Sequence, residues 1–290
     1  MDMIGNFVNI AAFGLAFVLV GLGVFLSYKI LKITDLTCEA SFGLGSCIYA
    51  ILVIFGVSPL LAMIAAMILG YCSGAITSFL INYIKLSTIV SGIISACIIQ
   101  NAIMKISMLR EGTTLTKSSI LGQMSATSNF ILVSIVVAIC VFLFMRLMTS
   151  EYGLSMRIFG SGRVITESLG INSNDTLNFG LCISNMMCAL AGALIAQITG
   201  ELQIGIGNGC LVFGFAAIKI GARFIPALDI KSMIASCIAG SFLFESGIRL
   251  LTDQGLDFMS GEYRSVILTV TLIFIVSIYK TRQDLTKENV

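Results

Sequence analysis

The sequence predicts an all-α protein, a polytopic membrane bundle of about nine spans, with eight and ten spans as the alternatives. Of its 290 residues, 57% are hydrophobic and 11% are charged, against roughly 45–50% and 25% in an average soluble domain. The mean hydropathy is +1.02. A helix needs about 20 apolar residues to cross a bilayer core of about 30 Å, and the apolar runs of this chain have about that length.

Apolar run length, glycine punctuation and charged boundaries place the individual spans. They lie near residues 7–28, 41–56, 59–82, 87–108, 128–148, 177–199, 208–221, 232–250 and 264–279. All nine belong to one transmembrane domain over residues 1–290. No basic segment or small-residue cleavage signal marks the start, so we expect the first run to stay as a span.

The basic residues predict an outside N-terminus and an inside C-terminal tail at 280–290. If the loop at 149–176 is cytoplasmic, alternation of the spans assigns twelve of the seventeen basic residues to the inner side and five to the outer side, as the positive-inside rule requires. The inner residues are Lys29, Lys32, Lys85, Arg146, Arg157, Arg163, Lys219, Arg223, Lys231, Lys280, Arg282 and Lys287. The outer residues are Lys105, Arg110, Lys117, Arg249 and Arg264.

Two short spans are each preceded by a glycine-marked break, Thr34–Ser46 and Glu201–Gly209. Each short span is the second in a block of four, and the span at 128–148 links the two blocks, 7–108 and 177–279. Because the blocks start on opposite sides, the pattern predicts an inverted repeat with the transport pathway near the breaks. The alternative is that the breaks are ordinary loops at the membrane surface.

Polar residues at the two breaks are the candidates for the pathway or for substrate contact. They are Asp35, Thr37, Glu39 and Ser41 at the first break, and Gln197, Gly205, Gly207 and Asn208 at the second. A carboxylate beside a helix N-terminus caps unpaired N–H groups, so we expect a capping role for Asp35. A substrate contact stays open for Thr37 or Glu39. Gln197 either hydrogen-bonds a neighbouring helix or lines a pore.

The sequence does not predict a metal or redox site, an ATP site, a catalytic triad or nucleic-acid binding. The nine cysteines lie almost entirely in apolar runs without CxxC spacing, and the chain has no histidine, so we expect no metal or redox site. No GxxxxGK[ST] or GxSxG motif occurs, so neither an ATP site nor a catalytic triad is expected. The net charge of +2 does not suggest nucleic acid. Glu245 and Arg249, four residues apart, are expected to pair within one helix.

The interval from Met145 to Leu177 is the only long polar stretch in the chain. A membrane protein that places its longest charged segment between two spans offers it to water. We interpret it as a docking surface for a separate motor protein, and a solvated linker is the alternative.

Four segments carry a resemblance to a known family: Asp35–Gly45, Glu151–Ile171, Ser184–Gly207 and Gly255–Leu268. Through them the chain resembles, over nearly its whole length, the permease of a bacterial ABC importer in the branched-chain amino acid and ribose permease superfamily. The tryptophan/tyrosine-type subgroup is the most similar. That subgroup tends to have valine-aspartate-glycine where this chain has Cys38-Glu39-Ala40, and an acidic residue after the glycine where this chain has Ala222-Arg223.

The resemblance implies a short coupling helix near Arg163–Gly170 that fits a cleft in an ATPase. The residues implied in this coupling are Glu151, Gly153, Arg157, Gly160, Arg163, Glu167, Leu169 and Gly170. It also implies two cytoplasmic ATPases that carry ATP and magnesium, a second permease copy or paralogue, and an extracytoplasmic solute-binding protein.

The function that follows is import of a small solute, an amino acid, across the inner membrane by alternating access, without enzymatic activity of the chain itself. Two alternatives stay open. One is an ion-gradient-driven secondary transporter or small-metabolite exporter, and the other is a structural or lipid-handling membrane subunit.

Overall fold

The computed structural model describes residues 3–108, 126–200, 207–225 and 229–253, and these ranges are helical throughout apart from short connections. The helices in chain order are α1 Met3–Val24, which continues as a π-helical turn Phe25–Ile30, α2 Thr37–Ile54, α3 Pro59–Asn82, α4 Thr88–Met108, α5 Ala126–Thr149, α6 Glu151–Ser161, α7 Arg163–Ser168, α8 Ser173–Thr199, α9 Cys210–Phe224 and α10 Ile230–Asp253. The all-α prediction is confirmed for this part of the chain.

Six helices in the described ranges are long and apolar enough to cross a membrane: α1 with its π-helical turn, α2, α3, α4, α5 and α8. They coincide with the first six predicted spans. The seventh predicted span corresponds to α9, whose 15 residues extend about 22 Å and fall short of the hydrocarbon core. The eighth corresponds to α10, which is long enough but is not among the six. The ninth, at 264–279, lies outside the described residues.

The first predicted break is shorter than the sequence indicated. We placed the break at Thr34–Ser46 and the start of the span near residue 41, but α2 already begins at Thr37, so the connection spans only residues 31–36. The glycines at 43 and 45 misled the prediction because glycine usually weakens a helix. Here they are helical residues at close helix contacts. Lys32, with φ of 56°, provides the reversal of the chain.

Burial separates a central helix from peripheral ones. In α8, 89% of the most apolar window is buried, and α1, α2 and α3 pack around it. In α5 only 17% is buried. A helix that is apolar all round yet mostly exposed is typical of a membrane span that faces lipid. The bundle therefore has α8 and α1 inside and α3, α4 and α5 at its periphery.

The contact between α8 and α2 depends on backbone approach at two glycines. A Cβ added to Gly45 would overlap the carbonyl group of Ala189, and one added to Gly192 would overlap the carbonyl oxygen of Phe42. Small residues allow such approach where helices associate by van der Waals contact in a membrane. Small residues of α8 therefore serve helix packing at this seam.

We predict that Gly192→Ala destabilises the protein because the methyl group would have to displace the α2 backbone, at a cost of about 1–3 kcal/mol. Gly247→Ala in α10 is the matched control, since nothing lies within 4 Å of its added Cβ. Thermal inactivation in detergent measures both variants. Loss of stability in Gly192→Ala alone supports the close contact, and equal stability of the two variants would contradict it.

Candidate functional site

Asp35 lies at the centre of a buried polar cluster in the connection between α1 and α2. Its Oδ1 accepts a hydrogen bond of 2.9 Å from the backbone N–H of Thr37, at the start of α2. Its Oδ2 accepts one of 2.6 Å from the side-chain amide of Asn185, in α8. Burial raises the pKa of the Asp35 carboxyl, while the hydrogen bonds from Thr37 and Asn185 oppose that change. The capping role predicted for Asp35 is therefore observed.

Hydroxyl groups extend this cluster from Asp35 to α3. The Ser41 hydroxyl donates to Asn185 Oδ1 over 2.7 Å and lies 2.5 Å from the Ser73 hydroxyl. The hydroxyls of Thr37 and Thr77 share a hydrogen bond of 2.7 Å. A buried network with satisfied partners fixes the relative position of the helices that contribute to it. These contacts join α2, α3 and α8 at one level of the bundle.

Three of the predicted pathway candidates are members of this cluster. Asp35, Thr37 and Ser41 are almost completely buried, with exposed fractions of 2%, 0% and 0%. In the described conformation their polar atoms contact neighbouring helices. We did not predict the partners Asn185, Ser73 or Thr77, although an isolated amide or hydroxyl within an apolar helix is a signal that could have found them.

Glu39 lies apart from this cluster, where the start of α2 meets the start of α9. Its Oε1 accepts a hydrogen bond of 3.3 Å from the backbone N–H of Leu211, in the first turn of α9. A Cβ on Gly207 would overlap the carbonyl oxygen of Glu39. Asn208 is exposed beside this contact, and Gly205 lies outside the described residues. The two predicted breaks therefore meet, and the half-buried Glu39 caps the N-terminal end of α9.

Gln197, Glu245 and Arg249 also have polar partners, between helices or within one helix. Gln197 donates a hydrogen bond of 3.1 Å from its side-chain amide to Asn129 Oδ1 in α5. Of the two roles left open for Gln197, this is the hydrogen bond to a neighbouring helix. Glu245 and Arg249 form the expected pair, with Nε and Oε1 3.1 Å apart. The Arg249 guanidinium also lies over the ring of Phe13, 3.2 Å from its centroid.

The polar segment between α5 and α8 folds into two helices. Gly153 sits at the sharp turn from α5 into α6, where a Cβ would lie 2.6 Å from Met148 Cα. Gly160 packs against the carbonyl oxygen of Ile30, at the end of the π-helical turn that extends α1. Arg157 donates from Nε to the Gly153 carbonyl over 3.3 Å, and Glu151 is exposed in the first turn of α6. The α6 helix is thereby fixed against the end of α1.

The short helix expected near Arg163–Gly170 is present as α7, Arg163–Ser168. Arg163 pairs with Glu167 at 3.3 Å and also donates to Asn174 Oδ1 at the start of α8. Gly170, with φ of 76°, ends the segment in a conformation that favours glycine. These contacts hold α7 in place between α6 and α8.

The outer surface of α7 and of Leu169, which follows it, carries large apolar side chains beside the exposed Arg163 and Glu167. Val164 is 81% exposed, Leu169 is 62% exposed and Ile165 is 50% exposed, while Thr166 alone points inwards. Beside it, a groove of about 330 Å³ lies between α6 and the start of α8. Its lining residues are Tyr152, Ser155, Met156, Ile171, Asn172, Asp175, Thr176 and Phe179. An exposed apolar surface of this kind is typical of a protein contact.

A family model for the permease component of the branched-chain amino acid transport system matches residues 6–276. The chain belongs to this family. It is a multi-pass membrane protein and a permease component of an ABC-type transporter family, as the resemblance predicted.

Two relatives cover most of the permease. The tyrosine transport system permease protein of Clostridioides difficile (strain R20291) is 28% identical over 259 residues, which are 89% of this chain and 86% of that protein. An uncharacterised protein of Rickettsia prowazekii (strain Madrid E) is 28% identical over 268 residues, which are 91% and 94% of the two chains. PsaBC from Streptococcus pneumoniae, solved in complex with a Fab, has a TM-score of 0.43 and 12% identity, covering 91% of this chain and 94% of that one.

We predict that the hydrogen bond between Asp35 and Asn185 stabilises the permease, and exchanging the two side chains tests this. Asp35→Asn places two amide donors against each other and Asn185→Asp places two carboxyls together, so each single variant should lose about 1–3 kcal/mol of stability. The double variant restores one donor and one acceptor and should recover at least half of the loss. Thermal inactivation of the four proteins measures this cycle. A strictly additive double variant would show that the two side chains do not interact.

Proposed function

We propose that this permease is the membrane subunit of an ABC importer, and that a separate cytoplasmic ATPase binds the exposed face of α7. The exposed apolar surface formed by Val164, Ile165 and Leu169 is the observation that carries the proposal. It lies between α5 and α8, outside the spans and on the side that the positive-inside rule assigns to the cytoplasm.

The contacts around α7 suit it to transmit movement. Arg163 connects it to the start of α8, and α6 connects the same segment to the end of α1 through Gly160 and Ile30. A push on α7 would therefore reach the two most buried helices of the bundle directly. Closure of an ATPase pair supplies such a push, and the permease needs only two packed arrangements that differ by a few kcal/mol.

The remaining components follow from this role. A second copy of the permease or a paralogue completes the pathway, and a solute-binding protein outside the membrane delivers the solute. ATP and magnesium bind the partner ATPase, and the permease itself carries out no chemistry. The assembly lies in the cell membrane, the inner membrane where a cell has two.

The transported solute is a small amino acid-like molecule in this proposal. The support is the family and the similarity to a tyrosine transport permease. Tyrosine is therefore the first solute to test, and a ligand found on the associated solute-binding protein would identify the natural one.

We predict that Val164→Asp abolishes ATP-driven uptake because it places a charge in an apolar protein contact. Val164→Thr is the matched control, since threonine keeps the β-branched shape of valine and adds an uncharged hydroxyl instead of a charge. We expect at least about a tenfold loss of uptake in the first variant and less than about twofold in the second, a difference of about 1 kcal/mol or more. Both should reach the membrane in normal amounts.

This substitution is a sharper test than charge reversal at Arg163. Reversal would also break the contacts of Arg163 with Glu167 and Asn174, so a loss of uptake would have two explanations. Normal uptake and normal ATPase binding by Val164→Asp would contradict docking on α7.

An ion-gradient-driven transporter is the competing function. It is favoured by the buried Asp35 carboxyl, because a carboxylate inside a membrane protein often marks an ion or proton path. Uptake into cells distinguishes the two. We expect uptake to stop when ATP is depleted and to continue when an ionophore collapses the ion gradients at constant ATP, whereas the opposite pattern would support the secondary transporter.

A further inference from the structure

Glu39 lies near the middle of the membrane, although it is in the first turn of its helix. Two contacts with α8, a membrane-crossing helix of 27 residues, fix its depth. Asp35, before Glu39, is hydrogen-bonded to Asn185, and a Cβ on Gly45, after Glu39, would overlap the Ala189 carbonyl group. Glu39 therefore lies between the levels of Asn185 and Ala189, which are about 18 and 24 Å from the start of a helix about 40 Å long.

The Glu39 carboxylate has no basic partner at this depth. The ion pairs within the described ranges involve other residues, and the hydrogen bonds to Glu39 come from the backbone N–H groups of Gly209 and Leu211. A charged side chain at the centre of a membrane helix costs roughly 2.5–3.5 kcal/mol on insertion scales. Because the carboxylate is only half-buried, its open side needs water or a cation.

Two further polar side chains lie beside this carboxylate or on its side of α2. Asn208 is exposed next to Gly207, whose added Cβ would overlap the Glu39 carbonyl oxygen. Ser46 lies two turns beyond Glu39 on the same side of α2. Its hydroxyl is completely buried and has no hydrogen-bond partner in the described structure. A buried polar group without a partner is a position where water or a ligand is expected.

The α5 helix shows what a lipid-facing surface of this chain looks like. Between residues 131 and 143 every exposed side chain of α5 is apolar, and the large ones are Ile131, Ile135, Ile139, Phe142 and Leu143. A carboxylate and an amide do not suit hydrocarbon. Water or a solute therefore matches the open side of Glu39 better than lipid does.

We propose that Glu39 binds the ammonium group of the transported solute at the middle of the membrane, an inference that rests on the proposed transport function. The carboxylate supplies the charge opposite to that of an amine, and Asn208 offers an amide donor and acceptor to neighbouring polar groups. The solute class is therefore one that carries a cationic amine. The competing arrangements are a purely structural cap on α9 and a carboxyl covered by lipid or by a second copy.

The Glu39→Gln variant separates a binding role from a capping role. Glutamine keeps the oxygen that accepts from the Leu211 N–H but removes the charge. A radiolabelled amino acid mixture that includes tyrosine identifies an amino acid that the natural permease takes up. For Glu39→Gln we expect the concentration for half-maximal uptake of that amino acid to rise at least about tenfold, with unchanged thermal inactivation in detergent. An unchanged concentration, or no amino acid uptake by the natural permease, would overturn the proposal.

A thiol beside Glu39 tests the local charge without knowledge of the solute. Membrane vesicles of both orientations that contain the complete transporter with Asn208→Cys are treated with a cationic or an anionic impermeant methanethiosulfonate. Peptide mass spectrometry follows residue 208, and each rate is divided by that of a free thiol. Because the carboxylate concentrates cations, we expect the cationic reagent to react at least about fivefold faster, and Glu39→Gln to bring the two rates within about twofold.

The Ile135→Cys variant on the exposed side of α5 is the matched control for lipid, and it should react with neither reagent. If Asn208→Cys is equally unreactive, or if Glu39→Gln leaves the ratio of the two rates unchanged, the proposal is overturned. Disulfide formation between two Asn208→Cys copies without labelling would overturn it in favour of a dry contact between copies.

The ATP dependence of uptake in the same vesicles separates this inference from the proposed function. Uptake that depends on ATP but is unaffected by Glu39→Gln contradicts the solute site alone. Weaker half-saturation in Glu39→Gln together with uptake that ignores ATP supports the solute site and contradicts the ABC importer.

Discussion

The close approach of α8 to α2 and α3 is the constraint on which the rest of the structure depends. Gly45 and Gly192 bring the backbones of α2 and α8 together, and the hydrogen bond between Asp35 and Asn185 joins α8 to the connection that precedes α2. In a membrane the hydrophobic effect does not drive helices together. Shape at the glycines and satisfied polar groups must therefore supply the specificity that places α8 at the centre.

This seam also connects the surface of the molecule with its interior. The α6 helix rests on the Ile30 carbonyl through Gly160, and only four residues separate Ile30 from Asp35. The same short connection continues into α2, whose first turn holds Glu39 against the start of α9. A displacement of the α6–α7 segment thus has a continuous path of packed backbone to both breaks.

The spans were predictable because apolar run length is a strong signal, and the first six spans lie where the sequence indicated. The short helix α7 lies where the family resemblance implied one. The start of α2 was wrong because glycines that serve close packing look like helix breakers in a sequence. The Asp35 cap was predictable from its position before a helix. Its partner Asn185, 150 residues away, was not, because a long-range hydrogen bond depends on how the helices pack.

The most direct test of the central claim is the sidedness of a thiol placed on α7. In the Val164→Cys variant, an impermeant thiol reagent should label residue 164 in inside-out vesicles stripped of the ATPase, and addition of the ATPase should block that labelling. Intact cells should show no labelling from the outside. Labelling from the exterior of intact cells, or labelling that the bound ATPase leaves unchanged, would contradict the account.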